Sequence, residues 1–267
     1  MPLHLSPSFR ERLAGSHRPL VGMWACSGSA LVTEVAAGSG LDWLLIDMEH
    51  SANTLESTLL QLQVVAAYPI APVVRVPSND PVAIKQVLDL GAQNIIVPMV
   101  SSADEARAAV AATRYPPEGV RGVGSALARS ARWNRVDDYL RDSARHTSLT
   151  VQIETSAGVE AAAEIAGVDG VDAVFVGPSD LSASMGLLGQ QTHPDVVRAV
   201  ETVFAAVTAA GRPVGVNAFD PSAADAYIAA GADFVAVGAD VALLARASEA
   251  LATRFIPAAD DSTRASY

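Results

Sequence analysis

The sequence is poor in several residues and patterns that mark common protein classes. It has one cysteine, Cys26, which excludes a disulfide framework within the chain and fits a reducing cytosol. We interpret Cys26 as a small packed residue, although the sequence alone leaves a role as a nucleophile open. It also has one lysine, Lys85, which lies in a predicted helix and not at a strand end. This position argues against a Schiff-base lysine at a reaction site.

Long apolar runs and an excess of positive charge are also missing. No stretch approaches the roughly 20 consecutive apolar residues of a membrane-spanning helix, and residues 1–17 lack the pattern of a signal peptide. The 29 Asp and Glu residues outnumber the 18 Lys and Arg residues, which gives a net charge of −11. Nucleic acid is therefore not an expected partner, because phosphate binding needs clustered cations. An anionic substrate would need a local cationic centre.

The sequence does contain a regular alternation of strand-like and helix-like segments. Eight short apolar runs recur, at residues 21–25, 42–47, 72–76, 94–98, 149–154, 172–177, 213–217 and 234–238. They are mostly continuous, which is typical of parallel strands buried on both faces. Segments of helical period lie between most of them.

This alternation predicts an α/β fold, a (β/α)8 TIM barrel. We expect a single domain over residues 1–267, with an N-terminal arm (1–18) and a frayed tail (256–267). A doubly wound open sheet is less favoured, because no GxGxxG turn follows the first predicted strand.

Polar side chains concentrate at the ends of a few predicted strands. In a parallel barrel the reaction site lies where the strands end, so these residues can converge at one mouth. They are Asp47, Glu49, His50, Arg75, Gln152, Glu154 and Asp180.

Glu154 and Asp180 are the candidate metal ligands. Each follows a buried strand, and two carboxylates with other positions open to water or substrate suit a hard octahedral cation such as Mg²⁺ or Mn²⁺. The alternative is that each is an acid in the first turn of a helix, which the helix dipole favours. The sequence has no Cys/His cluster, so a structural zinc site is not expected.

Arg75 and His50 are the candidate cationic centre and base. A guanidinium within "PVVRVP" must find a carboxylate or an anionic ligand, so Arg75 is either part of a structural ion pair or a clamp on substrate oxygens. His50 is either a general base beside two acids or a surface histidine. The other four histidines are assigned to solvent-facing positions: His4, His17, His146 and His193.

Four motifs taken together, "DWLLIDMEH", "PVVRV", "VQIET" and "VFVGPSDLSASMG", resemble the HpcH/HpaI family of metal-dependent 2-oxo-acid aldolases. The similarity extends over nearly the whole chain and includes "KQVLDLGAQNIIVPMV". Met48 stands where a smaller residue such as Gly is expected. Residues 209–231 are the least family-like segment, which puts substrate preference in doubt and not the chemistry.

The resemblance implies roles for the candidate residues. Glu154 and Asp180 would hold a divalent cation (Mg²⁺, Mn²⁺ or Co²⁺) that chelates a 2-oxo acid, and no organic cofactor is expected. Arg75 would contact the keto oxygen and stabilise an enolate. His50, oriented by Asp47, would act through a water as the base toward a 4-hydroxyl.

The resemblance also implies contributions from further residues and from a second subunit. Asp89 matches an acid that family members supply to a neighbouring site. The substrate would be contacted or supported by Trp24, Gln152, Gly177, Pro178 and Ser179. Members assemble as hexamers with the last helix packed on a neighbour's barrel, so a homo-oligomer is expected. Glu49 is left without a firm role.

The implied activity is reversible cleavage of 4-hydroxy-2-oxo acids, such as 4-hydroxy-2-oxoheptanedioate, to pyruvate and an aldehyde, in the cytoplasm and as part of aromatic catabolism. Hydroxypyruvate is a related donor that the resemblance would also admit. Two alternatives stay open: a citrate-lyase-like lyase acting on a CoA thioester, and a non-catalytic 2-oxo-acid-binding protein. The sequence shows no basic patch for an adenine nucleotide, which disfavours the first.

Overall fold

Eight parallel strands pair in chain order, and the last pairs with the first, so the sheet closes into a barrel. The strands are β1 (Leu20–Ala25), β2 (Trp43–Asp47), β3 (Ala71–Arg75), β4 (Asn94–Val97), β5 (Ser148–Ile153), β6 (Ala173–Val176), β7 (Val214–Asn217) and β8 (Phe234–Ala239). The computed structural model describes residues 3–256. The expected (β/α)8 barrel and all eight predicted strands are confirmed, whereas nearly all of the expected frayed tail lies outside the described residues.

Helices cover the outside of the barrel and fill its connections. They are α1 (Phe9–Ala14), α2 (Ala30–Ala37), α3 (Leu55–Val65), α4 (Pro81–Asp89), α5 (Ala103–Thr113), α6 (Tyr139–His146), α7 (Ser156–Glu160), α8 (Ala162–Ala166), α9 (Pro178–Ser184), α10 (Pro194–Ala209), α11 (Pro221–Ala229) and α12 (Asp240–Phe255). Asp80 and Asp220 each cap a helix whose first residue is proline. Each aspartate accepts hydrogen bonds from backbone N–H groups that follow the proline in the first turn, and the proline itself has no N–H that needs an acceptor. None of the helices described between residues 3 and 256 is long and apolar enough to cross a membrane.

Aromatic rings fill the lower part of the barrel. Phe9, from α1 in the N-terminal arm, lies with its ring centre 5.5 Å from that of Trp43 and 5.3 Å from that of Phe234. Gly22 and Gly215 make room for these rings, since an added Cβ would lie 2.4 Å from Trp43 or Phe234, respectively. The arm therefore closes the floor of the barrel, and any reaction site must open at the other end.

The inward-facing positions become polar toward the carboxyl ends of the strands. The side chains of Val214 and Val216 pack outward against the helices, so Asn217 faces inward, and the same alternation turns Gln152 inward. Asp47 and Arg75 lie two residues beyond the inward-facing Leu45 and Val73. The strand pattern therefore places a polar layer directly above an apolar core.

Candidate active site

Asp47, the last residue of β2, anchors the loop that follows it. The residue is 1% exposed, and its carboxylate accepts hydrogen bonds from the backbone N–H groups of Glu49 (3.0 Å) and His50 (3.2 Å). It also accepts from Nε of Arg75 at 2.8 Å, and the Asp47 carbonyl accepts from the Ser51 hydroxyl. Asp47 thus fixes the turn that carries Glu49 and His50.

A buried amide network holds this loop against its neighbours. Asn53 donates to the carbonyls of Ala25 (2.9 Å) and Asp47 (2.7 Å). Its side-chain oxygen accepts from Gln61 of α3 at 2.5 Å, and Gln61 in turn accepts from Thr33 of α2 at 2.9 Å. The sequence does not single out Asn53, because an asparagine just before a helix is typical of a local capping residue.

Arg75 is held on two edges and one face. Its Nε contacts Asp47, its Nη1 lies 2.9 Å from Oε2 of Glu49, and its guanidinium carbon lies 4.2 Å from the ring centre of Trp24. The Nη1 contact is an ion pair without the alignment of a hydrogen bond. Within residues 3–256, Nη2 has no protein acceptor. Arg75 is therefore a buried ion-pair partner with one free terminal nitrogen, and Glu49 is its second carboxylate. Its expected role as a clamp on substrate oxygens stays a prediction.

His50 is open to solvent, with 63% of its side chain exposed. From the resemblance we expected the Asp47 carboxylate to lie against the His50 imidazole and orient it. In the structure it does not, because both Asp47 carboxylate oxygens are already used by Arg75 and by backbone N–H groups. The hydrogen bond between the two residues runs from the backbone N–H of His50 to the Asp47 carboxylate, and not from the imidazole. The carboxylate beside the ring belongs to Glu49, whose Oε2 lies 3.9 Å from His50 Nε2.

Glu154 follows β5 and is 2% exposed. It accepts the backbone N–H of Met99 at 2.8 Å and the amide of Gln152 at 2.7 Å. Burial raises the pKa of Glu154 to about 7, and the nearby charges of Glu49 and Asp180 act in the same direction. Met99 adopts a φ of 58°, an uncommon value for a residue with a side chain, and in this conformation its N–H meets the carboxylate.

Asp180 lies exposed in the first turn of α9, so it is a helix-start acid as well as a candidate ligand. Gly177, which precedes α9, allows Glu154 its position, since an added Cβ would lie 2.7 Å from Glu154 Oε2 and 2.9 Å from Gln152 Nε2. Of Gly177, Pro178 and Ser179, only Ser179 can offer a free N–H to a substrate carboxylate. The Gly177 N–H donates to Ile153 within the sheet, and proline has none.

The carboxylates at the mouth fit a hard divalent cation. Burial raises the pKa of Glu49, and Asp47 and Asp180 add to this effect while Arg75 opposes it. The carboxylates of Glu49, Glu154 and Asp180 are thus close enough to repel one another when ionised, and a bound cation would offset this repulsion. Gln152 Oε1 is a buried oxygen without a hydrogen-bond partner in the described chain. Among residues 3–256, no group of three or more His, Cys, Asp or Glu side chains forms a complete metal cage. Two carboxylates with open positions match a catalytic cation.

Comparison with known proteins identifies the family of this chain. The family model described as HpcH/HpaI aldolase/citrate lyase matches residues 20–247. The chain belongs to the HpcH/HpaI family. A protein from Salmonella arizonae named 4-hydroxy-2-oxo-heptane-1,7-dioate aldolase is 52% identical over 248 residues, which are 93% of this chain and 94% of that one. A protein of the same name from Salmonella dublin is 51% identical over the same shares.

Solved structures of similar proteins share the barrel. A HpcH/HpaI aldolase/citrate lyase family protein from Burkholderia cenocepacia J2315 is 40% identical, with a TM-score of 0.89 over 93% of this chain and 99% of that one. A structure described as citrate synthase SbnG is 30% identical, with a TM-score of 0.82 over 93% and 98% of the two chains. The resemblance that the four motifs indicated is confirmed.

Asp89 lies away from the other candidates of this HpcH/HpaI chain. It ends α4, on the side of the barrel opposite the mouth, and its Oδ1 lies 2.8 Å from Nη2 of the buried Arg121. It also lines an open surface groove of about 470 Å³ together with Leu127 and Trp133. Its expected contribution to a neighbouring subunit's site stays a prediction.

Asn217 is a further polar residue at the mouth, and the sequence does not single it out. Its side-chain oxygen accepts the indole N–H of Trp24 at 2.8 Å. Asn217 ends a predicted strand, but an amide that does not ionise is a weaker indication of a reaction site than a carboxylate, imidazole or guanidinium. The structure therefore brings Trp24, which the resemblance assigned to the substrate site, into one contact chain with Asn217 and Arg75.

Proposed function

We propose that this HpcH/HpaI family member is a carbon–carbon lyase, a class II aldolase. It reversibly cleaves 4-hydroxy-2-oxo acids, such as 4-hydroxy-2-oxoheptane-1,7-dioate, to pyruvate and an aldehyde. The observation that carries the proposal is the meeting of three groups at one barrel mouth. These are the free Nη2 of Arg75, the accessible imidazole of His50 and the carboxylates of Glu154 and Asp180. The names of the relatives from Salmonella support the same substrate class.

Glu154 and Asp180 would hold a divalent cation, for which Mg²⁺, Mn²⁺ and Co²⁺ are the candidates. When bound, such a cation supplies Lewis-acid stabilisation to oxygens of a 2-oxo acid. Gln152 supports the arrangement by donating to Glu154 Oε2 at 2.7 Å. The donor set is oxygen-only, which suits these hard or borderline ions.

Arg75 and His50 perform the two halves of the cleavage. His50 Nε2 takes the proton of the 4-hydroxyl, directly or through a water, and the O–H electrons form the aldehyde C=O bond. The C3–C4 bond breaks, and its electron pair passes to C3 and the keto oxygen as an enolate. Arg75 Nη2 donates to that oxygen as its charge grows, and protonation at C3 then gives pyruvate. The ion pairs of Arg75 with Asp47 and Glu49 keep this donor in place before the reaction.

We also propose that the protein is a homo-oligomer, a hexamer by the family resemblance, in which α12 packs on a neighbouring barrel. Of the 16 residues of α12, Asp240 alone is buried in the described chain. Apolar side chains along the helix are exposed: Val241, Leu243, Leu244, Leu251 and Phe255. A helix with this much exposed apolar surface favours a partner.

A pyruvate-release assay tests the activity. The purified protein is given a panel of 4-hydroxy-2-oxo acids with EDTA, and then with Mg²⁺, Mn²⁺ or Co²⁺ restored. We expect EDTA to abolish pyruvate release and the metals to restore it. His50→Ala should lower kcat by roughly 10²–10⁴-fold and Arg75→Ala by roughly 10²–10³-fold. Arg141→Ala, which removes an exposed arginine paired with Asp138, is the matched control.

Three results would contradict the proposal: full activity in excess chelator, both site variants matching the parent, or turnover of acyl-CoA esters alone. The last would favour a citrate-lyase-like activity. Binding of pyruvate with no cleavage and no exchange of its methyl protons would favour a non-catalytic binding protein.

A further inference from the structure

Asn217 is the single polar side chain that the inward face of β7 presents to the mouth. The other inward position of this strand is Gly215, against the ring of Phe234. Asn217 also lies within residues 209–231, the segment least like the family by sequence. An asparagine at a strand end is often simply solvated, so its role depends on its contacts.

Asn217 fixes the orientation of Trp24. The indole has one donor, Nε1–H, and it is given to the Asn217 side-chain oxygen at 2.8 Å, across 193 residues of sequence. The indole also makes an edge-to-face contact with Phe175, at 6.4 Å between ring centres. A buried indole whose N–H is paired and whose edge is packed keeps one rotamer. The hydrogen bond to Asn217 is the directional part of this restraint.

The face of the fixed indole supports Arg75. The guanidinium carbon lies 4.2 Å from the Trp24 ring centre, while Asp47 and Glu49 hold the guanidinium at its edges. The two carboxylates restrain the group within its plane, and the indole restrains its tilt out of that plane. A cation held over a tryptophan face is attracted by the ring electrons, and the attraction weakens if the ring rotates. The direction of the free Nη2 donor therefore depends on the Trp24 orientation.

We propose that Asn217 is a positioning residue for Arg75, acting through Trp24. The chain Asn217–Trp24–Arg75 aims Nη2 at the oxygen that gains charge in the reaction. The inference rests on the proposed aldolase function for its catalytic consequence, whereas the contact chain itself can be tested without turnover. Asn217→Leu keeps a similar volume and removes the acceptor, and Trp24→Phe keeps an aromatic face and removes the donor.

Steady-state kinetics of the two single variants and the double variant test the positioning role. Each single variant should lower kcat by about tenfold and change KM by less than about twofold, because the contact acts on developing charge. The double variant should be no slower than the worse single variant, since both changes break one interaction. Asn79→Leu, in the β3–α4 loop and without contact to Trp24, is the matched control and should keep the parent kcat.

Ligand binding separates positioning from a general structural effect. Oxalate mimics the planar, doubly charged enolate of pyruvate, so its affinity for the metal-loaded protein should fall about tenfold in Asn217→Leu. The affinity for pyruvate should stay within about twofold. An equal loss of affinity for both ligands, or multiplicative losses of kcat in the double variant, would overturn the proposal.

A readout independent of catalysis distinguishes this failure from a failure of the proposed function. The chain has three tryptophans, so ¹⁵N-tryptophan labelling gives three indole N–H signals, and Trp24→Phe identifies one of them. In Asn217→Leu the Trp24 indole proton should exchange with solvent at least tenfold faster than in the parent. If no 4-hydroxy-2-oxo acid is cleaved, the aldolase proposal fails, while this exchange and the oxalate affinity still decide the role of Asn217. Unchanged exchange in Asn217→Leu would refute it.

Discussion

At the scale of single residues, the geometry of the site depends on backbone conformation and on the absence of a side chain at Gly177, as well as on its functional groups. Gly177 has no φ that demands glycine, yet a Cβ there would press on the Glu154 carboxylate and the Gln152 amide. Met99 shows the opposite case, in which a residue with a side chain accepts a left-handed backbone so that its N–H can reach Glu154. Sequence alone gives neither constraint, because each arises from a neighbour on another strand.

Gly177→Ala should weaken cation binding. The added methyl group would lie 2.7 Å from Glu154 Oε2 and must displace it, so we expect the affinity for Mn²⁺ to fall by about tenfold or more. Titration calorimetry measures this directly. Gly238→Ala is the control, since an added Cβ there meets nothing within 4 Å. Parent-like Mn²⁺ affinity in Gly177→Ala would argue against Glu154 as a ligand.

Cys26 should be chemically inert in the folded protein. Burial raises its pKa to about 12, with Asp47 and Asp240 adding to the effect and Arg75 opposing it. A raised pKa keeps the thiol protonated, so at pH 8 only about one molecule in ten thousand carries the reactive thiolate. A thiol reagent such as DTNB should therefore react much more slowly with native protein than with guanidinium-unfolded protein. Equal rates would show that Cys26 is ionised, or exposed by local opening.

At the scale of elements, the strands were predictable and the turn after β2 was not. Runs such as "DWLLID" and "PVVRV" are apolar because both faces of a parallel strand are buried, so their positions follow from the sequence. The partner of His50 depends on how the chain turns after Asp47. That turn directs the Asp47 carboxylate to backbone N–H groups and leaves Glu49 beside the imidazole. Charge spacing in "DMEH" cannot distinguish these two arrangements.

Asn53→Ala should destabilise the β2–α3 connection. It removes donors from the carbonyls of Ala25 and Asp47 in a buried setting and leaves Gln61 Nε2 with the Ser57 carbonyl as its remaining acceptor. We expect the free energy of unfolding to fall by about 1–3 kcal/mol, measured by urea denaturation at fixed protein concentration. Asn79→Ala, which loses one hydrogen bond at the surface, should change it by less than about 1 kcal/mol. A similar small change in both variants would show that the network is not a stabilising unit.

At the scale of the whole molecule, one chain leaves apolar surface on α12 without cover. Replacing Leu244 and Leu251 by Glu should therefore dissociate the proposed oligomer, because two charges would be buried at the proposed contact. Sedimentation velocity measures the change. Thr253→Glu adds one charge to the same helix at a residue that is already polar, and it should keep the parent assembly. A parent that sediments as a 27.6 kDa monomer would contradict the proposed oligomer.

The closure of the barrel also bears on how the chain reaches this structure. β1 pairs with β8, with Leu20 opposite Phe234, and Phe9 packs on the ring of Phe234. One edge of β1 therefore stays unpaired until β8 has been synthesised and has joined the sheet. Contacts between residues this far apart slow folding, since a long loop must close before they form. A nascent chain that ends before β8 therefore exposes two unpaired strand edges and an unfilled floor. Ribosome-released fragments of this kind should aggregate instead of folding in part.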